Sequence, residues 1–320
     1  MSLLTRINNI FSKKQSEQLV GVALQQRSLG VCIVPPVKEG SKTDLDDSEK
    51  IIFKQADVES SDFAVVMDRL KNEYDFNYKC HLVLNASQSQ IVQVDKPNVP
   101  ENEINAALKW QIKDLVSIAP ENMVVDYFDL PLMSGGIEKI NVVCSPLNEL
   151  KKFVSVLNTG SAKVASITIE EFAFANLLPA QNDACLLVCQ QPNEEVILLI
   201  VKQGKLYFQR RLNGFSQIAN KSDEELSLTV VDSLALEIQR SSDYFERQLR
   251  QAPIKEIKVL LPMESEGFFA RKLAENSHLP VSLLTLPEPY QEHREYAAAI
   301  GATMSEARKA EQHQETEHVS

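Results

Sequence analysis

Two stretches of this chain open in the same way. VALQQRSLGVCIV (22–34) and LVCQQPNEEVILLIV (187–201) each read as a β-prone run, a polar turn beginning Gln-Gln, and a second β-prone run. Gln25 and Gln190 stand 165 residues apart, about half the chain. Each hairpin is followed by a further strand signal (50–54 and 205–211) and then by a long helical pattern. A chain halved in this manner is expected to fold into two related α/β domains facing one another. Its 320 residues are enough for two domains at roughly 100–200 residues each.

The remaining segments support a mixed α/β class. Strand signals fall at 19–24, 29–34, 81–85, 91–94, 123–130, 139–144, 164–169, 254–261 and 281–286. Helical spacing appears at 62–73, 100–116, 146–157, 170–178, 223–250, 268–276 and 292–304. Pro35–Pro36 punctuates the first domain, and Ser134-Gly135-Gly136 separates two runs that read as a hairpin. The longest helix carries the stripe Leu226, Val230, Leu234, Ile238, Phe245 and Leu249, with a polar nick at Ser241–Ser242. The last helix contains AAAIGA, whose small side chains permit close packing or the approach of a ligand. At the N-terminus Leu3, Leu4, Ile7, Ile10 and Phe11 take helical spacing beside Arg6, Lys13 and Lys14, with no acid before Glu17. That predicts a basic amphipathic segment over 1–16, packed on the protein or lying on a membrane surface. Residues 305–320 hold one large apolar residue, Val319, and are predicted to form a disordered, solvated acidic tail.

Composition removes several classes of function. A net charge of −11 repels nucleic acid and anionic lipid. The longest uninterrupted apolar runs are six residues, 184–189 and 196–201, against the ~18 needed to span a bilayer. No secretory signal pattern is visible, so a cytoplasmic location is expected. Five cysteines (32, 80, 144, 185 and 189) sit in apolar, strand-like surroundings without a C-x-x-C pair, which predicts buried structural thiols. Ten glycines are about half the usual share, which argues against several glycine-rich phosphate loops. G-x-S-x-G, G-x-G-x-x-G, G-x-x-x-x-G-K and H-E-x-x-H are all absent. His81, His278, His293, His313 and His318 stand at no metal-ligand spacing. Asp126 and the pair Glu170–Glu171 read as strand-edge charge and helix-start chemistry. Catalytic, cofactor-binding and metal-ligating residues are therefore all assigned as none.

LVGVALQQRSLGVCIV (19–34) resembles the opening hairpin of PilM-type proteins, approximately V-G-I-D-I-G-x-x-x-I-K. Residues 81–131 resemble their inserted subdomain: strand, strand, a tryptophan-bearing helix and a strand around V-V-D-Y. INVVCSPLNELKKFVSVLNTGSAKVASITIEEFAFANLL (140–178) resembles the segment that follows, and LALEIQRSSDYFERQL (234–249) the L-x-x-E-I-x-R-S-x-D-F/Y-F helix of their second domain. The resemblance covers about residues 17–304. It implies an actin-like ATPase fold: two ribonuclease H-like domains flanking a nucleotide cleft, with a small inserted subdomain. The implied division is 17–178 for the first domain, with the insertion at about 80–160, and 179–304 for the second.

The same resemblance shows where the chain departs from the family. In actin-like ATPases a strand–turn–strand in each half cradles phosphates, an Asp holds Mg²⁺ or its water, and glycines let backbone N–H groups reach the oxygens. Here Ala23 stands at the Asp position and Gln25 at the Gly position. Cys189-Gln190-Gln191-Pro192 replaces the second Asp-Ile-Gly, and Leu261-Pro262-Met263-Glu264 replaces a later Gly-Gly. Gly301 alone survives near where an adenosine would lie, while Glu194, Glu195 and Glu264 add negative charge near the loops. The expectation is a scaffold without ATPase activity and without a cofactor.

By resemblance its partner is a PilN-like inner-membrane protein. The assembly ATPase is a second implied partner, because the related GspL domain docks the secretion ATPase. The expected peptide groove lies between the first domain and the insertion, within about 17–165, on a protein held at the inner membrane face through its partners. Trp110 is read as a core residue of its amphipathic helix rather than as an anchor. Two other readings are an ATPase in which Glu194, Glu195 or an unrecognised Asp replaces the missing metal carboxylates, and a membrane-surface adaptor acting through 1–16.

Overall fold

The structure is a computed structural model and describes residues 18–36, 51–58, 63–74, 78–130, 138–158 and 162–305. The amphipathic segment 1–16, the turn at 134–136 and the tail beyond residue 305 lie outside the described residues. The two halves repeat one sheet. In the first, β1 (Gln18–Leu24), β2 (Ser28–Val34), β3 (Ile52–Asp57), β4 (Tyr78–Leu84) and β8 (Lys163–Ile169) stand in the order β3-β2-β1-β4-β8. In the second, β9 (Cys185–Cys189), β10 (Val196–Lys202), β11 (Lys205–Leu212), β12 (Glu256–Leu260) and β13 (Val281–Leu283) stand in the order β11-β10-β9-β12-β13. Both begin as an antiparallel meander and continue with two parallel strands. The parallel strands require crossovers, here α1 (Phe63–Glu73) in the first half and the helical stretch 223–248 in the second.

The strands that read as unbroken apolar runs are central. CLLVC and VILLIV are buried throughout because both sheet faces are covered. β8, by contrast, alternates exposed and half-buried residues, as an edge strand does. A third sheet, β5-β7-β6, is built from β5 (Gln90–Asp95), β6 (Met123–Asp129) and β7 (Lys139–Pro146). It packs on α2 (Ile104–Gln111) through Ile104, Leu108, Met123, Ile140 and Val142. Because β4 is an inner strand of the first sheet and α3 (Leu147–Leu157) packs on α1 and β8, the small sheet takes in about 90–146 rather than 80–160.

Helical periodicity overshot most over 100–116. The predicted helix 100–116 is a 3₁₀ turn, then α2, then irregular turns. Trp110 is not core: it is 66% exposed. Two residues beyond Leu108, it is turned about 200° from the stripe that meets the sheet. The long helix has no break at Ser241–Ser242, since both lie within α5 (Val231–Asp243). Their hydroxyls donate to the carbonyls of Glu237 (2.8 Å) and Ile238 (2.9 Å), so the polar nick is satisfied inside the helix. Single turns of π-helix, 226–230 and 244–248, flank it.

The two sheets meet over two short helices, α4 (Glu170–Ala175) and α7 (Ala297–Thr303). All seven residues of α7 are buried, and it reaches back from the second half onto β1 and α4. A β-carbon on Gly21 would lie 2.0 Å from the Ala299 carbonyl oxygen, and one on Gly301 would lie 1.9 Å from that of Ala173. Gly301 therefore serves a backbone-to-backbone contact, the close packing that the small residues of AAAIGA permit. G301A and G21A should each lower stability by about 3 kcal/mol in urea melts, because rigid backbone must move. G267A, in the first turn of α6 (Glu266–Glu275) with open space around it, should be neutral or stabilising by up to about 1 kcal/mol.

Candidate functional site

The hairpin turns of the two halves face one another, and their side chains are largely paired, although Gln25 Nε2 and Gln191 Oε1 are buried without a hydrogen-bond partner among the described residues. Ala23 is buried in β1 within the core shared by both sheets. The Gln25 side-chain oxygen accepts from Ser28 Oγ and from Gln55 Nε2 (2.8 Å), which closes the first turn on itself. Gln190 donates through its side chain to the carbonyls of Glu194 and Phe215 (3.0 Å to the latter). Asn193 adopts the left-handed conformation (φ 60°) that asparagine tolerates, and this turns the chain toward the first half. Gln191 then crosses between halves, donating to Leu24 O (3.2 Å) and Glu170 Oε2 (2.9 Å). Glu194 crosses as well: its Oε1 accepts from the Gln26 backbone N–H (2.6 Å) and from Asn85 Nδ2 (2.6 Å). Glu195 turns away, both oxygens taken by the backbone N–H groups of Gly214 (3.1 Å) and Phe215 (2.7 Å). A cavity of about 350 Å³ lies between the turns, bordered by Gln26, Arg27, Pro192, Asn193 and Gln217.

Below the turns sits a buried acid pair. Glu170 and Glu171 open α4, and Arg211 of β11 donates to both, at 2.7 and 2.9 Å. One guanidinium thus serves two buried carboxylates. Burial pushes the Glu170 carboxyl up to about 7, the charge of Glu171 adds to the rise, and Arg211 opposes it. Burial likewise raises Glu171, against the pull of Arg211. A second internal pair closes the loop 261–264. Glu266 Oε1 accepts from the Leu261 N–H (2.6 Å) and from Arg294 Nη2 (2.6 Å), while Arg294 also donates to the carbonyls of Leu284 and Val259 (2.9 and 3.1 Å). Glu264 is exposed. Glu170 and Glu171 were legible only as helix-start acids. Arg211, Asn85, Glu266 and Arg294 carried no local signal, because each pairs across 28 residues or more of sequence or across the two halves.

The other titratable candidates are dispersed. His81 is buried on β4 with Nδ1 2.8 Å from Ser166 Oγ, and His293 stacks on Phe53 at 3.8 Å between ring centres. His278 is exposed, and His313 and His318 lie outside the described residues. Cys32, Cys80, Cys144, Cys185 and Cys189 are free and buried, and burial pushes Cys32, Cys80 and Cys185 up to about 12. Among the described residues no cluster of three or more His, Cys, Asp or Glu side chains is placed to hold a metal. No helix among them is long and apolar enough to cross a membrane.

A second concavity, of about 380 Å³, runs between the first sheet and the small one. Its walls are two edge strands, β6 and β8, with Val124, Phe128, Val143, Ile167 and Phe172 among its lining and Asp126 its one charged residue. Phe128 and Phe172 meet edge to face, ring centres 4.9 Å apart.

The same sheet order in each half, a helix of one half packed into the other and a small inserted sheet together fix the architecture. The chain has the actin-like ATPase fold. It superposes on a chain of a solved PilM–PilN type IV pilus biogenesis complex with a TM-score of 0.61 and 14% identity, over 90% of this chain and 98% of that one. Lower scores relate it to the cytoplasmic domain of EpsL, an inner-membrane component of the type II secretion system of Vibrio cholerae (TM-score 0.49, 15% identity, 90% and 95% covered). A protein of actin-like ATPase fold and unknown function from Bacteroides thetaiotaomicron gives 0.48 and 10% identity, with 89% and 96% covered. No protein-family model matches the chain, and no curated protein matches it in sequence.

In an actin-like cleft the two hairpin turns are where phosphates would lie. As arranged here, these residues do not fit a magnesium-bound phosphate chain. The Gln26 N–H is taken by Glu194, Pro192 has no N–H, and Arg211 is held by two carboxylates. The acid pair makes stability depend on pH. A carboxyl whose folded pKa lies above its unfolded value binds protons on folding, so its contribution declines as pH rises from about 4.5 to about 7 and is level above that. E170Q should flatten that decline in urea melts taken across the range. R211M should cost about 3–5 kcal/mol at pH 8, where two buried carboxylates lose their cation, and less at pH 5, where they take up protons.

Proposed function

We propose that this chain is a PilM-like scaffold of a type IV pilus assembly platform, of the mannose-sensitive haemagglutinin kind served by MshI proteins. In this reading it is cytoplasmic, rests at the inner membrane face through its partners and belongs with the PilM and GspL-like proteins. It binds the cytoplasmic segment of a PilN-like membrane protein, and the pilus assembly ATPase is a second partner. The observation that carries the reading is the groove between β6 and β8. Two unpaired strand edges offer main-chain donors and acceptors to an extended peptide, and the apolar floor between them supplies anchoring pockets. The likeness in fold to a chain of the PilM–PilN complex supports the choice of partner.

We infer also that the protein does not turn over ATP. Glu194 and Glu195, two carboxylates near the loops that could replace a metal-binding Asp, are engaged with backbone and amide donors. A scaffold needs the shape of the fold without its phosphate chemistry. The test is a titration of the full chain with a synthetic peptide carrying the cytoplasmic N-terminal segment of the PilN-like partner. I167D, at a side chain 38% exposed in the groove, should weaken binding at least ten-fold with an unchanged melting temperature. Peptide affinity unaffected by I167D would remove the groove from the reading. A thermal melt with about 5 mM Mg-ATP should show no shift, whereas a ligand at a hundred times its dissociation constant would add about 2.7 kcal/mol.

A further inference from the structure

We infer that Glu194 is a latch that holds the two halves closed at the mouth of the cleft. Its carboxylate leaves the second half and ends between two donors of the first, the Gln26 N–H and Asn85 Nδ2, both at 2.6 Å. Each side of this contact is set in advance. Asn85 is buried, and its oxygen is fixed by the Ser87 N–H (2.9 Å) and hydroxyl (2.7 Å), while its own N–H donates to Gln88 Oε1 (3.1 Å). The amide therefore has one orientation, with Nδ2 aimed across the cleft. On the other side, the left-handed turn at Asn193, the Glu194 N–H on Gln191 O (3.1 Å) and the Gln190 amide on the Glu194 carbonyl hold the backbone that carries the carboxylate.

The charge of Glu194 is met by neutral donors alone among the described residues, and both belong to the opposite half. That asymmetry is what makes it a latch rather than an internal support. Glu195, one residue on, satisfies itself within its own half through Gly214 and Phe215. The base of the interface is different in kind. There, α7 is packed backbone to backbone on β1 and α4, in an apolar core. Opening at the mouth breaks the Glu194 bonds and the Gln191 bonds to Leu24 and Glu170 and strains the Arg211 pairing with Glu170 and Glu171 below them, while the apolar core at the base stays intact. The closely packed base is thus a hinge, and the polar mouth is where it is released.

The five native cysteines are buried, so paired spin labels can be placed on the full chain at D68C and E275C, exposed positions on α1 and α6. The unaltered latch should give one narrow distance distribution. E194A should broaden it toward longer distances and speed hydrogen exchange of the Gln26 amide at least ten-fold, with E194Q in between because its oxygen still accepts. N85A approaches the same contact from the first half, and the double variant E194A/N85A should be no wider than either alone. Folded E194A and N85A proteins that keep the narrow distribution and the slow Gln26 exchange would overturn the latch. Were E194A to fold poorly, E194Q and N85A decide it by the same two readouts.

Discussion

The contact on which the rest of the molecule depends is that of α7 with β1 and α4. Seven buried residues, all small but Ile300, carry the end of the second half into the first, and two glycines let carbonyl groups sit where a β-carbon would otherwise be. This approach brings two sheets onto one shared core, so it sets the distance between the facing hairpin turns and hence the geometry of the cleft. The energy is mostly that of apolar burial, which is insensitive to direction. The precision comes from sterics, because close-packed backbone has no side chain to rearrange.

Above that apolar base the interface is polar, and the chemistry changes accordingly. Gln191, Glu194 and Arg211 reach from the second half toward groups of the first, and each finds a partner supplied by the chain itself. A nucleotide cleft needs free N–H donors and positive charge; here the Gln26 N–H is occupied by a carboxylate and Arg211 is shared between two acids. Burying two acids beside one arginine is a costly arrangement, relieved by leaving Glu170 easy to protonate. Contacts within the chain therefore join the two halves across the cleft. Away from the cleft, the edge strands β6 and β8 border a second, largely apolar concavity.

The repeat of the hairpin in the two halves was legible because strand and turn patterns are local, and the helical stripe over 226–249 marked a buried helix for the same reason. The buried thiols followed from their apolar surroundings. Trp110 was misread: a single aromatic in an amphipathic run does not reveal on which side of the stripe it falls until the helix ends at Gln111 and its partner sheet is placed. Gly301 left its neighbour open, because a glycine says only that something approaches closely, and Ala173 lies more than a hundred residues away.

What the sequence alone determined is therefore the α/β class, the halved architecture and the residue types in the loops, since those depend on residue type and near-neighbour order. Tertiary structure decided the partnerships: Arg211 with two acids, Glu194 with the opposite turn, and two strand edges brought together around one groove. The physical reason is that hydrogen bonds and ion pairs are short-ranged in space but indifferent to separation along the chain. Their partners exist only once the α7 packing has brought the two halves to a fixed distance.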